Sequence, residues 1–333
     1  MNMQEKEQTK PVVIRTENLQ KHYRVSSGKI GQRPKLLKAV DDVSLEIYEG
    51  EILGIVGESG CGKSTLGRSL LRLFPVTGGK IYFEGRDIST LTRRELKPYR
   101  RDMQMIFQNP FSSFNPRQRI GRALSEVGKV YGMSAQETRN RIMELMGYIS
   151  LPEDMLDRHP QELSGGQLQR LAIARALMLS PSFIVADEPV SALDVSVQAQ
   201  ILNLIVDLRK QLKMTMMFIS HEMTVVEHIC DTVAVMYLGR IVEMAPTEEL
   251  FSNLTHPYTQ ALMSAIPVAD PGKKKERIIL EGDIPNAIDL PAGCSFASRC
   301  RYATDLCRRE RPVLKDNGRG HLTACHMAGT VRE

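Results

Sequence analysis

The 333-residue chain can bury a large core and can hold one large domain with an appendage, or two domains. Its 42% hydrophobic and 25% charged residues match a soluble globular protein. No run reaches the roughly 18–20 apolar residues that cross a bilayer, and the polar start MNMQEKEQTK lacks the apolar stretch of a secretory signal, so a cytosolic location is expected. A net charge of +5 among 44 basic and 39 acidic side chains gives little ground for binding nucleic acid.

In chain order, VVIRTENL, VSLEI and EILGIV predict short strands within residues 12–56. The last has no polar alternation, as in a strand buried on both faces of a parallel sheet. After GESGCGKST, the stretch LGRSLLRLF predicts a helix that ends before Pro75. Residues 117–180 show helical stretches and no strand pattern, which predicts a helical insertion. Strand runs return at FIVAD (183–187), MTMMFIS (214–220) and TVAVMYLG (232–239), with a helix over about 196–212. This order of strand, helix and strand predicts an α/β core with a mainly parallel sheet. The lysine run GKKKER, 272–277, reads as a solvated linker before a cysteine-rich tail.

Three motifs carry chemistry. GESGCGKS, Gly57–Ser64, matches G-x-x-x-x-G-K-[ST] and sits between a predicted strand and a predicted helix. There, Gly57, Ser59, Gly60, Cys61 and Gly62 can wrap an anion with inward backbone N–H groups. Lys63 reaches the outer phosphates, and the Ser64 hydroxyl can ligate Mg²⁺. The pattern FIVADEP places Asp187 and Glu188 at the carboxyl end of a strand, where one acid can hold Mg²⁺ and its neighbour can polarise water. In LSGGQLQRLAIARALML, Ser164 and Gln167 fit a capping box. Gly165 and Gly166 in the first turn weaken the helix by roughly 1 kcal/mol each relative to Ala, so a cap alone does not call for them. This helix start reads as a second anion site that completes a pocket on another subunit.

The order GESGCGKST, FQNP, LSGGQ, ADEP, SALD and ISH resembles the nucleotide-binding domain of ABC transporters over about residues 12–250. The resemblance implies a P-loop fold with a mainly parallel core sheet, an antiparallel N-terminal β-subdomain and a helical signature subdomain at about 109–180. It implies a head-to-tail dimer that sandwiches two ATP molecules, each between one chain's phosphate loop and the other chain's signature, here Ser164, Gly165, Gly166 and Gln167. Lys63, Ser64 and Thr65 then bind phosphates and Mg²⁺, Asp187 is the metal-side carboxylate and Glu188 the catalytic base. Gln108 joins Mg²⁺ and water to the transmembrane partner, and His221 contacts the γ-phosphate. Asp194 lies at the dimer interface and Tyr23 stacks on adenine.

FQNPFSSFNPR, EPVSALDVSVQAQILNL, HPYTQAL and IPNAIDLPAGCSFASRC narrow the resemblance to the ATPase subunits of bacterial dipeptide and oligopeptide importers. LQKHYRV and the loop after it are similar to the F-type subunit. This implies a nucleotide-binding domain at 1–255 and an extension at 256–333. The implied partners are a second, homologous ATPase, two permease subunits gripped by residues 109–116 and, indirectly, an external peptide-binding protein. The expected place is the cytoplasmic face of the membrane. Nickel or glycoside import, and a soluble ABC ATPase acting on nucleic acid or ribosomes, are the alternatives. In the tail, spacings of five, six and seventeen residues separate Cys294, Cys300, Cys307 and Cys325. Four thiolates suit Zn²⁺ or a [4Fe-4S] cluster. The resemblance favours the cluster, with His321 and His326 as substitute ligands for zinc.

Overall fold

A computed structural model describes residues 10–25, 34–266, 277–280, 282, 285–288 and 290–328. Residues 272–276 of the lysine run, and the start of the loop after Val25, lie outside the described residues.

The first half of the chain carries β1 (Val12–Val25), β2 (Lys35–Tyr48), β3 (Ile52–Val56), α1 (Lys63–Leu70), β4 (Gly78–Phe83), β5 (Arg86–Asp87), α2 (Tyr99–Asp102) and β6 (Met103–Ile106). A helical region follows, with α3 (Ile120–Val130), α4 (Ala135–Tyr148) and α5 (Gly165–Leu177). The chain then returns to the sheet through β7 (Phe183–Asp187), α6 (Val195–Leu212), β8 (Thr215–Ile219), α7 (Met223–Ile229), β9 (Thr232–Tyr237) and β10 (Arg240–Pro246). It closes with α8 (Thr247–Ser252), α9 (Pro257–Ser264), α10 (Asp305–Arg309), β11 (Lys315–Asp316) and β12 (Leu322–Thr323).

Two sheets result. The smaller has the order β2-β1-β4-β5, and β1 runs antiparallel to both β2 and β4. The larger has the order β11-β12-β10-β9-β3-β8-β7-β6, with β9, β3, β8, β7 and β6 parallel. Every residue of β3, β7 and β8 is buried, as expected of central parallel strands covered on both faces. Gly54 sits where a Cβ would lie 2.5 Å from Val226 of α7, so glycine lets this helix pack closely on β3.

α1 begins at Lys63, three residues before the predicted helix, because its first turn is the end of the phosphate loop itself. The strands β4, β5 and β6 are additions to the sequence reading. β6 has four residues and β5 two, too short for a period to show. The region 117–180 holds helices and no strand, as predicted.

The C-terminal residues join the main sheet. β12 pairs antiparallel with β10, Glu243 opposite Thr323, and β11 pairs with β12. The anchor is a buried polar group. Glu243 Oε1 accepts from Thr255 N at 2.8 Å and Thr255 Oγ1 at 2.5 Å, and lies 2.8 Å from His321 Nε2. The site is closed by Glu249 at 3.7 Å from His321 Nδ1, Arg319 on Glu249, and His256, whose pKa burial lowers to about 4. His321 is thus a partner of Glu243 and not a thiol-site ligand.

Burial opposes ionisation of Glu243, yet its bonds from His321 and Thr255 prevail and hold its pKa below 4.5. For His321, burial opposes the charged ring, yet the bond to Glu243 prevails and holds its pKa above 6.5. The Glu243 contribution is present above pH 4.5 and lost as pH falls through the depressed folded value. That of His321 is complete below pH 6.5 and lost as pH rises through its folded value. The stability lost on His321→Gln should therefore be greatest between pH 4.5 and 6.5, read as thermal midpoints of both proteins. A flat difference across pH would refute the ion pair.

Candidate active site

The site assembles at the carboxyl ends of β3 and β7, where the chain leaves the parallel sheet. Gly57 follows β3 with φ 152°, Gly60 has 79° and Gly62 111°. A Cβ on Gly57 would lie 2.2 Å from Met236 O, and one on Gly62 2.0 Å from Ala39 O, so both turns require glycine. Lys63 is buried and folds back on the loop, its Nζ donating to Gly57 O at 2.7 Å and Glu58 O at 3.0 Å. A phosphate entering the loop offers this ammonium oxyanion acceptors in exchange for two neutral carbonyls. Cys61 is buried, and burial pushes its thiol pKa up, which makes it a packing residue under the loop.

Ser64 Oγ donates to Asp187 Oδ1 at 2.6 Å. Arg68, one helical turn on, bonds Oδ2 of the same carboxylate at 3.3 Å and balances a charge that is 1% exposed. The adjacent Glu188 is in the left-handed region, φ 47°, and its N–H donates to Ile219 O on β8. Its Oε2 accepts from Gln108 Nε2 at 2.9 Å and lies 3.5 Å from His221 Nδ1. Gln108 also reaches Ser191 Oγ at 3.3 Å. Two neighbouring carboxylates thus have separate partners: one faces the phosphate-loop hydroxyl, the other the glutamine and histidine.

The structure brings Lys63, Ser64, Asp187, Glu188, Gln108 and His221 to one place. Arg68 and Ser191 are additions to the sequence reading. Arg68 could have been found four residues after Ser64 on the helix, and Ser191 stands in the quoted EPVSALD. Gly57 to Gly62 and Thr65, in the loop and the first turn of α1, adjoin this group, and the other predicted residues lie elsewhere. Ser164 is exposed at the start of α5 and forms the capping box with Gln167. A Cβ on Gly166 would lie 2.5 Å from Val197 Cγ1 of α6, so packing, which is separate from the cap, gives this glycine a reason of its own. Asp194 is exposed at the start of α6, beside Val195, which is 81% exposed. The Tyr23 ring meets Phe74 edge-on at 6.1 Å, with Lys21 Nζ 4.8 Å from its centre. Phe111, three residues after Gln108, is 48% exposed on the short turn Pro110–Ser113.

Cys294, Cys300, Cys307 and Cys325 line one small cavity, with His256, Phe296 and His326. Burial pushes the thiols of Cys294 and Cys300 up and that of Cys325 to about 11. His326 Nε2 lies 3.0 Å from Glu310 O. Among the described residues, no three His, Cys, Asp or Glu side chains converge closely enough to hold a metal ion.

Comparison with known proteins agrees with this geometry. The family described as ABC transporter matches residues 40–191, and the C-terminal region of oligopeptide/dipeptide transporters matches 242–307. The dimeric ATP-binding cassette MJ0796, in a post-hydrolysis state bound to ADP and Pi, superposes with a TM-score of 0.62 at 28% identity, covering 70% of this chain and 98% of its own. The oligopeptide transport ATP-binding protein OppF of Escherichia coli is 46% identical over 320 residues, covering 94% of this chain and 96% of OppF. AppF of Bacillus subtilis is 44% identical over 319 residues, covering 95% and 97%. A peptide import ATP-binding protein of Brucella ovis is 49% identical over 318 residues, covering 95% and 98%. Fold and site therefore define an ABC-type ATPase. Within that class, the chain belongs to the family of ATP-binding subunits of oligopeptide and dipeptide ABC transporters, and the F designation of two relatives agrees with the N-terminal resemblance.

Proposed function

We propose that this chain hydrolyses ATP to energise the import of di- or oligopeptides, as a peripheral subunit at the cytoplasmic face of the membrane. The observation that carries the reading is the pairing of an ABC site with a tail shared by peptide-import relatives along nearly their whole length. Among the described residues no helix is long and apolar enough to cross a membrane, so transport needs other subunits.

In this reading residues 1–255 bind nucleotide and 256–333 form the extension. Tyr23 stacks on adenine, Gly57 to Gly62 cradle phosphate, and Lys63 and Thr65 hold it. Ser64, Asp187 and Gln108 offer a hydroxyl, a carboxylate and an amide oxygen to Mg²⁺, a donor set suited to that ion, which neutralises phosphate charge when bound. Glu188 accepts the proton of the attacking water, and His221 donates to the γ-phosphate side. Ser164 to Gln167 complete the partner ATPase's pocket, with Asp194 and Val195 at the interface. Phe111 and its turn meet a permease. With the partner ATPase, both permeases and the external receptor in liposomes, turnover should rise when the receptor is loaded with peptide. Stimulation by nickel or a glycoside alone, or recovery of the chain with ribosomes, would overturn the assignment.

The four tail cysteines are the candidates for a metal centre, with a [4Fe-4S] cluster favoured over Zn²⁺, and holding one requires the thiols to draw closer than they stand here. The donor set supports this: four thiols share one cavity, and a cation there would lower the pKa values of Cys294, Cys300 and Cys325, which burial raises. About four irons and four sulfides per chain are expected in anaerobically purified protein, lost on Cys300→Ser. One zinc without iron would replace the cluster, and no metal would leave one buried and three half-buried free thiols.

A further inference from the structure

Glu58, the second residue of the phosphate loop, is held from the C-terminal extension. Arg299 Nη1 donates to Glu58 Oε2 at 2.8 Å and Nη2 to Oε1 at 3.2 Å, across 241 residues of sequence. Such a fork fixes the carboxylate in distance and in plane. The pair is largely shielded, with side chains 7% and 24% exposed, so water screens it less than a surface pair.

A second contact grips the backbone of the same residue. Glu58 N–H donates to the Tyr258 hydroxyl at 2.8 Å. Tyr258 is fully buried, with ring centroids 4.7 Å from Tyr237 and 5.4 Å from Phe296, so this hydroxyl stands on a fixed base. Arg299 is fixed as well, its backbone N–H donating to Phe296 O at 3.0 Å. Lys63 Nζ bonds the carbonyls of Gly57 and Glu58, so the clasp holds the peptide against which the phosphate-binding lysine rests. The motif leaves position 58 free, and its fold does not call for a glutamate there.

We propose that Arg299 and Tyr258 are positioning residues for ATP: through Glu58 the extension holds the phosphate loop ready for nucleotide and thereby sets this chain's ATP affinity. The inference rests on the ATPase assignment. Holding the loop before binding removes an ordering cost that ATP would otherwise bear. The effect falls on binding, since neither residue touches Glu188, Gln108 or His221 among the contacts described.

The test uses the full-length chain, with Mg²⁺-ATP binding measured by calorimetry and steady-state hydrolysis measured in the assembled transporter. Arg299→Ala should raise the Kd for ATP by about tenfold and KM in parallel, with kcat unchanged. Arg299→Lys, which keeps the charge and loses the fork, should fall between. The exchange Glu58→Arg with Arg299→Glu should recover most of the affinity. Tyr258→Phe should raise Kd by about threefold and serves if Arg299→Ala does not fold. Wild-type Kd in both Arg299→Lys and Tyr258→Phe would overturn the proposal. So would an equal loss of kcat, or an exchange variant no better than Arg299→Ala. Absence of ATP binding by the wild-type chain would instead strike the ATPase assignment itself.

Discussion

Glu188→Gln is expected to leave ATP bound and to lower turnover at this chain's phosphate loop by about 10²–10⁴-fold, the usual worth of a general base. The substitution removes the proposed proton acceptor and keeps the shape. Glu188 Oε2 accepts from Gln108 Nε2 at 2.9 Å, and a glutamine carbonyl can accept the same bond. The left-handed backbone at residue 188 strains Glu and Gln alike, and its N–H bond to Ile219 O involves no side chain. Asp187, with its own partners Ser64 and Arg68, stays in place. The separation of the two carboxylates makes the experiment specific. Asp187→Asn should weaken Mg²⁺-dependent nucleotide binding, whereas Glu188→Gln should spare binding and trap the proposed dimer in its closed form. Turnover at the wild-type rate would remove Glu188 from the role of base. Unchanged affinity and lost turnover on Asp187→Asn would exchange the two roles.

The elements that sequence reading found are those with one strong physical cause. FIVAD is a strand to the residue because five consecutive buried positions leave no polar face. The phosphate loop was legible because its glycines answer local demands, at Gly57 and Gly62 against the carbonyls of Met236 and Ala39. The rest depends on partners distant in sequence. β6, four residues long, is a strand because β7 lies beside it. The two-residue strands β11 and β12 have no pattern of their own: β12 forms against β10 and β11 against β12, so these C-terminal residues share the main sheet. His321 was open to reading as a zinc ligand because a cysteine, Cys325, stands four positions on, while its partner in space is Glu243. Gly166 was open to a purely functional reading because Val197, 31 positions on, was not in view. The Arg299 clasp on Glu58 left no trace in the order of residues.

The second large effect concerns the signature. Ser164→Asp is expected to leave this chain's own ATP affinity and stability unchanged and to cut turnover at the partner's loop by about 10²–10³-fold, the scale seen when a transition-state donor is lost. Aspartate caps helices as well as serine does, so the bond from Gln167 N, 3.3 Å from the serine oxygen, can be replaced. What changes is charge. The capping box uses the N–H groups of Ser164 and Gln167, and an α-helix has no internal acceptor for the first-turn amides of Gly165 and Gly166. Those amides and the serine hydroxyl attract phosphate, whereas a carboxylate repels it. Ser164→Ala would mix this effect with about 1 kcal/mol of lost cap, and a Gly166 variant would mix it with a clash against Val197. Photolabelling with azido-ATP separates the two pockets of the proposed dimer. Label should persist on this chain, whose loop meets the partner's signature, and vanish from the partner. Equal loss from both chains would mean that the pockets close only together, and loss from this chain alone would place the signature in the same pocket as its own loop and refute the head-to-tail arrangement.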